Sequence, residues 1–162
     1  MDPRARALEA LYRERYSAFR NMVATITGSY ESAHDVVQDA FADALRHRDG
    51  FRGDGSLAAW VWRIALREAW RWRSAQAQNR PLEDGAANVP ALVEPERDPV
   101  LAEALLRLSP RRRLAVFLRY FGDLSYEEIA EALSVSSGTV AAMLAQAREA
   151  LLADLTTVEV KS

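Results

Sequence analysis

Ser125–Leu152 reads SYEEIAEALSVSSGTVAAMLAQAREALL, and this stretch decides the fold. Ser125 can cap a helix, and Glu128, three residues on, can reach back to complete a capping box. Ile129, Ala130 and Leu133 give that helix an apolar side. Ser134-Val135-Ser136 interrupts the pattern, with Ser136 or Ser137 available as a second cap. Val140, Met143, Leu144, Ala147 and Leu151 then recur at helical spacing. Two short helices joined by a small-residue turn form the unit that lays its second helix in a DNA major groove. The outward positions, however, read Ala141, Ala142, Ala145, Gln146 and Glu149, with Arg148 the one cation. A groove-reading helix usually brings Arg, Lys, Asn or Gln to base edges and phosphates.

The whole chain bounds what that unit can belong to. Its 162 residues suffice for one ordinary domain or two small ones, and 49% are hydrophobic, so a packed core is expected. Cysteine is absent and there are two histidines, His34 and His47, without metal-ligand spacing; no metal or cofactor is expected. No Ser-His-Asp set or phosphate loop is present, so an enzyme is not expected. No apolar run is long enough for a bilayer and the stretch MDPRARALEA at residues 1–10 has no signal-peptide core, which points to a soluble cytoplasmic protein. Net charge is −2, but it is unevenly spread: residues 1–80 hold 13 basic and 10 acidic side chains, residues 81–162 hold 8 and 13. Attraction to nucleic acid is therefore concentrated in the first half.

Upstream, residues 4–28 read as a helix with Leu8, Leu11, Tyr12, Tyr16, Phe19, Val23 and Ile26 along one side, ended by Gly28-Ser29. A second helix starts at Glu31 or Ser32, burying Val36, Val37, Ala40, Phe41, Ala44 and Leu45. Its other side carries Asp35, Gln38, Asp39 and Asp43. A loop at Phe51–Ser56 leads into a third helix whose buried face is expected to hold Leu57, Val61, Ile64, Ala65 and Trp72. Arg63, Arg67 and Arg71 recur along it at i, i+4 and i+8 beside Trp60 and Trp70. Guanidinium groups pair with phosphates while flat rings accept unstacked bases, so this stripe suits melted nucleic acid; packed tryptophans and solvated arginines are the plain alternative. Glu68 is expected to pair with Arg71 or Arg67. Residues 76–99 are proline-rich and without period, and read as a flexible linker. A short helix at Val100–Leu108 follows. Ser109-Pro110 then opens a helix with core residues Leu114, Val116, Phe117, Leu118, Tyr120 and Phe121. The fold expected is all-α, with domains at 1–75 and 100–156.

These residues together resemble the extracytoplasmic-function (ECF) sigma factors, the group IV branch of the sigma-70 superfamily of bacterial RNA polymerase subunits. The likeness rests on D-V-V-Q-D-A-F at 35–41, A-W-V-W-R-I-A at 59–65, L-S-P-R-R-R at 108–113, L-R-Y-F at 118–121, L-S-Y-E-E-I-A-E-A-L at 124–133 and S-G-T-V at 137–140. It implies that Asp35, Gln38, Asp39 and Leu45 dock on the clamp coiled coil of core RNA polymerase. It implies that the 51–56 loop and the helix with Trp60, Arg63, Arg67, Trp70 and Arg71 melt and read the minus-ten element of promoter DNA. The linker would thread toward the RNA exit path. The helix-turn-helix, through Ser137, Thr139, Gln146 and Arg148, would read the minus-35 element, with Arg111, Arg112 and Arg113 at adjacent phosphates. An anti-sigma factor is an expected partner.

The departures are specific. Ala141, Met143 and Gln146 stand where such proteins typically carry Lys or Arg, and losing about three contacts removes several kcal/mol and flattens the salt dependence. Leu66-Arg67 replaces an Arg-Asn pair, and Arg71 a frequent Asp. Two readings follow: a sigma factor with weak minus-35 recognition, or a sigma-like decoy that binds an anti-sigma factor or core polymerase without reading promoters. A dimeric repressor is disfavoured by the nearly uncharged reading face.

Overall fold

Serine and aspartate side chains mark where six of the helices begin, at Asp2, Ser29, Ser56, Ser109, Ser125 and Ser136. The computed structural model describes residues 2–77, 99–120 and 122–161. It has helices α1 (Pro3–Thr27), α2 (Tyr30–Arg46), α3 (Leu57–Ala77), α4 (Pro99–Arg107), α5 (Pro110–Tyr120), α6 (Tyr126–Leu133) and α7 (Ser137–Lys161), with a 3-10 turn at Arg48–Gly50. Among the described residues there is no strand. The chain divides into two compact units, residues 1–90 and 91–162. Most of the expected linker, 78–98, lies outside the described residues. Its ends are helical, since α3 continues to Ala77 and α4 begins at Pro99.

In the first unit α1, α2 and α3 pack against one another pairwise. Asp2 caps α1 by accepting the Arg4 N–H at 3.1 Å, and Pro3 follows at the first helical position. Gly28 closes α1 in the left-handed region at φ 85°, its N–H on the Ala24 carbonyl at 2.8 Å, where a Cβ would be strained. Ser29 accepts the Ser32 N–H at 3.1 Å, so α2 starts at Tyr30, earlier than its charge pattern suggests.

The core centres on Phe19 of α1 and Trp62 of α3, both fully buried, their rings stacked 3.7 Å apart and 13° from parallel. Phe41 of α2 meets Phe19 edge-on at 5.0 Å, and Tyr12 meets Phe41 edge-on at 5.1 Å. Helix α3 packs on two neighbours, so its buried stripe is wider than one helical face. It takes in Trp62, Leu66 and Ala69 beyond the expected Val61, Ile64 and Ala65, and leaves Leu57 and Trp72 half-buried.

In the second unit α7 packs against α4, α5 and α6. Ser109 Oγ lies 3.4 Å from the Arg112 N–H it faces, and Pro110 opens α5. The capping box forms as expected: Glu128 N–H donates to Ser125 Oγ at 3.1 Å and Ser125 N–H to Glu128 Oε1 at 3.0 Å. Ser134 turns the chain at φ 56°. Ser136, not Ser137, caps α7 by accepting the Thr139 N–H at 3.0 Å. Leu105, Leu114, Phe117, Leu118, Leu124, Ile129, Val140, Leu144 and Ala147 form the core. Tyr120 does not join it and is 52% exposed, because its hydroxyl serves Arg148. Phe121 lies outside the described residues.

All four tryptophans belong to the first unit, so tryptophan fluorescence in urea reports its unfolding alone. Trp62→Ala is expected to lower its stability by about 3–5 kcal/mol, whereas exposed Trp70→Ala should change it by no more than about 0.5 kcal/mol.

Candidate partner and nucleic-acid interfaces

The α2 register buries Val36, Val37, Ala40 and Phe41 and turns Asp35, Gln38 and Asp39 outward on consecutive turns. All three are exposed. Asp43, read from sequence as part of the same row, is spent locally: Arg46 approaches it at 3.5 Å and His47 Nδ1 at 3.1 Å. Leu45 is 43% exposed and stands two turns beyond Gln38 on the same side. It edges an apolar groove of about 380 Å³ whose floor includes Leu8 and Tyr12 of α1 and Phe41 of α2. The α1 half of this groove was not read from sequence; the signal was Leu8 and Tyr12 at i, i+4.

Polar ties fix this surface at both ends. At one, Arg48 Nε donates to Asp2 Oδ2 at 2.6 Å and Arg4 bonds Asp49 at 3.3 Å. The Arg48 hydrogen bond, with the Arg4 N–H, holds the Asp2 carboxyl below its usual range. At the other, Tyr16 hydrogen-bonds His34 Nδ1, and Arg20 lies 4.8 Å from the Tyr30 ring. Burial, then the neighbouring Tyr12, pushes the Tyr16 hydroxyl pKa up.

On α3, Arg67, Trp70 and Arg71 are exposed while Trp60 and Arg63 are half-buried. Trp60 leans on Phe51 at 5.6 Å, joining helix to loop. Gly53 and Gly55 hold that loop at φ 83° and 80°, conformations that favour glycine. Arg71 donates to Glu68 at 3.0 Å, the expected pair. Arg73, not singled out from sequence, lies 5.5 Å from the Trp70 ring, three residues on.

The second unit sorts its arginines sharply. Arg113 is 2% exposed and donates Nε to the Leu105 carbonyl and Nη2 to those of Leu106 and Leu108, each at 3.0 Å. It neutralises the C-terminal end of α4, and burial lowers its pKa. The expected phosphate contact at Arg113 is therefore corrected: its guanidinium is committed inside the unit. Arg112 Nη2 donates to Gln146 Oε1 at 2.7 Å, bringing two expected site residues together. Arg111 is exposed. On α7, Ser137, Thr139, Ala141, Ala142, Ala145, Gln146 and Glu149 are exposed, and Met143 is half-buried. Arg148 donates Nε to Tyr120 Oη at 2.8 Å and Nη2 to Tyr126 Oη at 3.1 Å. These bonds, Tyr120 first, raise its pKa.

Among the described residues no group of His, Cys, Asp or Glu is arranged to hold a metal ion, and no helix is long and apolar enough to cross a membrane. The family model for sigma-70 region 2 matches residues 11–78, and that for sigma-70 region 4 matches 100–151. The RNA polymerase sigma factor YlaC of Bacillus subtilis is 32% identical over 160 residues, covering 93% of this chain and 92% of the relative. The ECF RNA polymerase sigma-E factor of Escherichia coli K12 is 33% identical over 155 residues, covering 82% and 80%. The chain belongs to the ECF sigma factors.

Solved structures agree with this sigma factor's fold. A Bartonella quintana sigma factor RpoE, crystallised with the anti-sigma factor NepR, superimposes with a TM-score of 0.69 at 22% identity, covering 91% of this chain and 98% of that one. CnrH, solved in complex with the cytosolic domain of CnrY, gives a TM-score of 0.60 at 26% identity, covering 94% and 89%.

Arg113→Ala should lower the thermal stability of the second unit by on the order of 3 kcal/mol, because buried carbonyls lose a charged donor. Arg111→Ala, at an exposed position, should leave it unchanged. Circular dichroism melting of the two variants checks the distinction.

Proposed function

We propose that this sigma factor binds core RNA polymerase through α2 and carries it to promoters. The observation that carries the reading is the outward row Asp35, Gln38 and Asp39. Among the described contacts none of the three is in an ion pair or a side-chain hydrogen bond. Two carboxylates and an amide held on a rigid helix beside Leu45 offer acceptors to basic side chains of a partner helix, here the clamp coiled coil. The domain at 1–75 would then hold the melted minus-ten strand between the 51–56 loop and Trp60, Arg63, Arg67, Trp70 and Arg71. The linker at 76–99 would run toward the RNA exit path. The domain at 100–156 would meet the minus-35 element through α7 with an atypically uncharged face. This places the protein in the cytoplasm, with no enzymatic step of its own and an anti-sigma factor as regulator, as the solved relatives' complexes suggest.

One observation favours the decoy alternative. The arginines nearest the outward face of α7 are engaged within the fold, Arg112 by Gln146 and Arg148 by two tyrosines. A protein that occupied an anti-sigma factor without reading promoters would need no more.

Asp35→Ala with Gln38→Ala should weaken binding to core polymerase by roughly a hundredfold with an unchanged circular dichroism melt; unaltered affinity in a fluorescence titration would refute the docking surface. Ala141→Lys with Met143→Arg should tighten duplex DNA binding and steepen its salt dependence by about one to two phosphate equivalents. No change would mean that α7 does not face the groove.

A further inference from the structure

The seam between α1 and α2 is closed by a ladder of rings. Tyr12, Tyr16 and Arg20 recur at i, i+4 and i+8 on α1, and each meets a residue of α2. Tyr12 stands edge-on to Phe41 at 5.1 Å, Tyr16 stands edge-on to His34 at 5.6 Å, and Arg20 lies 4.8 Å from the Tyr30 ring. His34 is half-buried in the middle of this ladder. It immediately precedes Asp35 and stands one turn before Gln38, two of the three groups in the outward row.

The hydrogen bond between Tyr16 and His34 Nδ1 has a direction. Burial, then Tyr12, raises the Tyr16 pKa, with Arg20 acting against them and Asp35 in the same direction. The hydroxyl therefore keeps its proton and donates it. Neutral His34 accepts at Nδ1 and carries its own hydrogen at Nε2. Protonation places a hydrogen on Nδ1 as well, so Tyr16 must turn from donor to acceptor. The imidazolium also brings a full positive charge into the seam.

The surroundings decide where that charge is felt. From α1, His34 meets Tyr16, with Tyr12 and Arg20 one turn to either side. Along α2 its polar neighbours are Tyr30, Glu31, Asp35 and Gln38, and among the described contacts none joins it to α3. Arg20 already lies there as a cation over rings, with no carboxylate paired to it among the described contacts and its Nε buried without a hydrogen bond. The acids within one turn of His34 are Glu31 and Asp35, and Asp35 belongs to the row that a partner needs. A basic helix approaching the row meets free carboxylates while His34 is neutral, and an added cation once it is protonated.

We propose that His34 is a proton switch on the α2 docking row: neutral and tied to Tyr16, it leaves the row fully acidic, and protonated, it weakens the hold on a basic partner helix. This deepens, and rests on, the reading above that α2 docks on core polymerase.

The test titrates the full chain, with a rhodamine label at its C-terminus, against core RNA polymerase in steps from about pH 8 to about pH 6, the range in which imidazole side chains gain a proton. At the lower end wild type should bind about fivefold more weakly than His34→Gln, the effect of one charge at a solvated interface, and at the upper end equally well. Taking the ratio cancels any titration of the polymerase itself. His34→Lys carries the charge throughout and should bind about fivefold more weakly than His34→Gln at every step. Tyr16→Phe removes the donor facing Nδ1 and should move the fall in affinity to higher pH, which a merely structural role would not do. His47→Gln, which removes the histidine beside Asp43, should follow wild type. If His34→Gln lowers the circular dichroism melt, His34→Asn takes its place in the comparison. Parallel profiles for wild type and His34→Gln, or a dependence lost in His47→Gln alone, would overturn the switch and leave the docking surface standing. A wild type that binds core polymerase at no pH would sink the docking reading and the switch with it.

Discussion

A helix end leaves backbone donors or acceptors without partners, and in a short helix that cost falls on most of its length. Helix α6 has eight residues and α4 has nine, too short to persist alone. The chain answers with side chains at the ends: Asp2, Ser29, Ser56, Ser125 and Ser136 accept first-turn N–H groups. Arg113 donates to the last carbonyls of α4 and its exit. The apolar stripes of α5, α6 and α7 meet correctly only because these ends fix where each helix starts and turns. The helix-turn-helix depends on that constraint twice over, at Ser125 with Glu128 and again at Ser136.

Local signals of this kind were legible in the sequence. The capping box, the Gly28 stop and the Ser109-Pro110 start need only neighbours along the chain. What could not be read was any choice decided by a distant partner. Arg111, Arg112 and Arg113 are identical letters, yet one is exposed, one holds Gln146 and one is buried beneath α4. The four tryptophans of α3 are likewise alike in sequence; Trp62 is the core ring because Phe19 lies opposite it. Tyr120 looked like a core residue because the pattern of α5 is apolar there, and it is drawn outward by an arginine 28 residues away.

Both units pair charged side chains internally, and they differ in which groups they leave outward. On the first, α2 leaves carboxylates and an amide outward, and α3 leaves Arg67 outward beside Trp70. Such groups keep their full capacity for a partner. On the second, most arginines are hydrogen-bonded within the unit, which stiffens it and lowers what remains for a long-range field. Membership of the ECF sigma factors accounts for both units being present in one chain.

We propose that this chain directs initiation rather than merely occupying a partner. Sequencing the 5′ ends of transcripts made by core polymerase on sheared bacterial genomic DNA, with and without the chain, tests it directly. Start sites that depend on the chain and share an upstream element, best defined near minus ten, are expected. Core polymerase that binds the chain yet yields no chain-dependent start would contradict it.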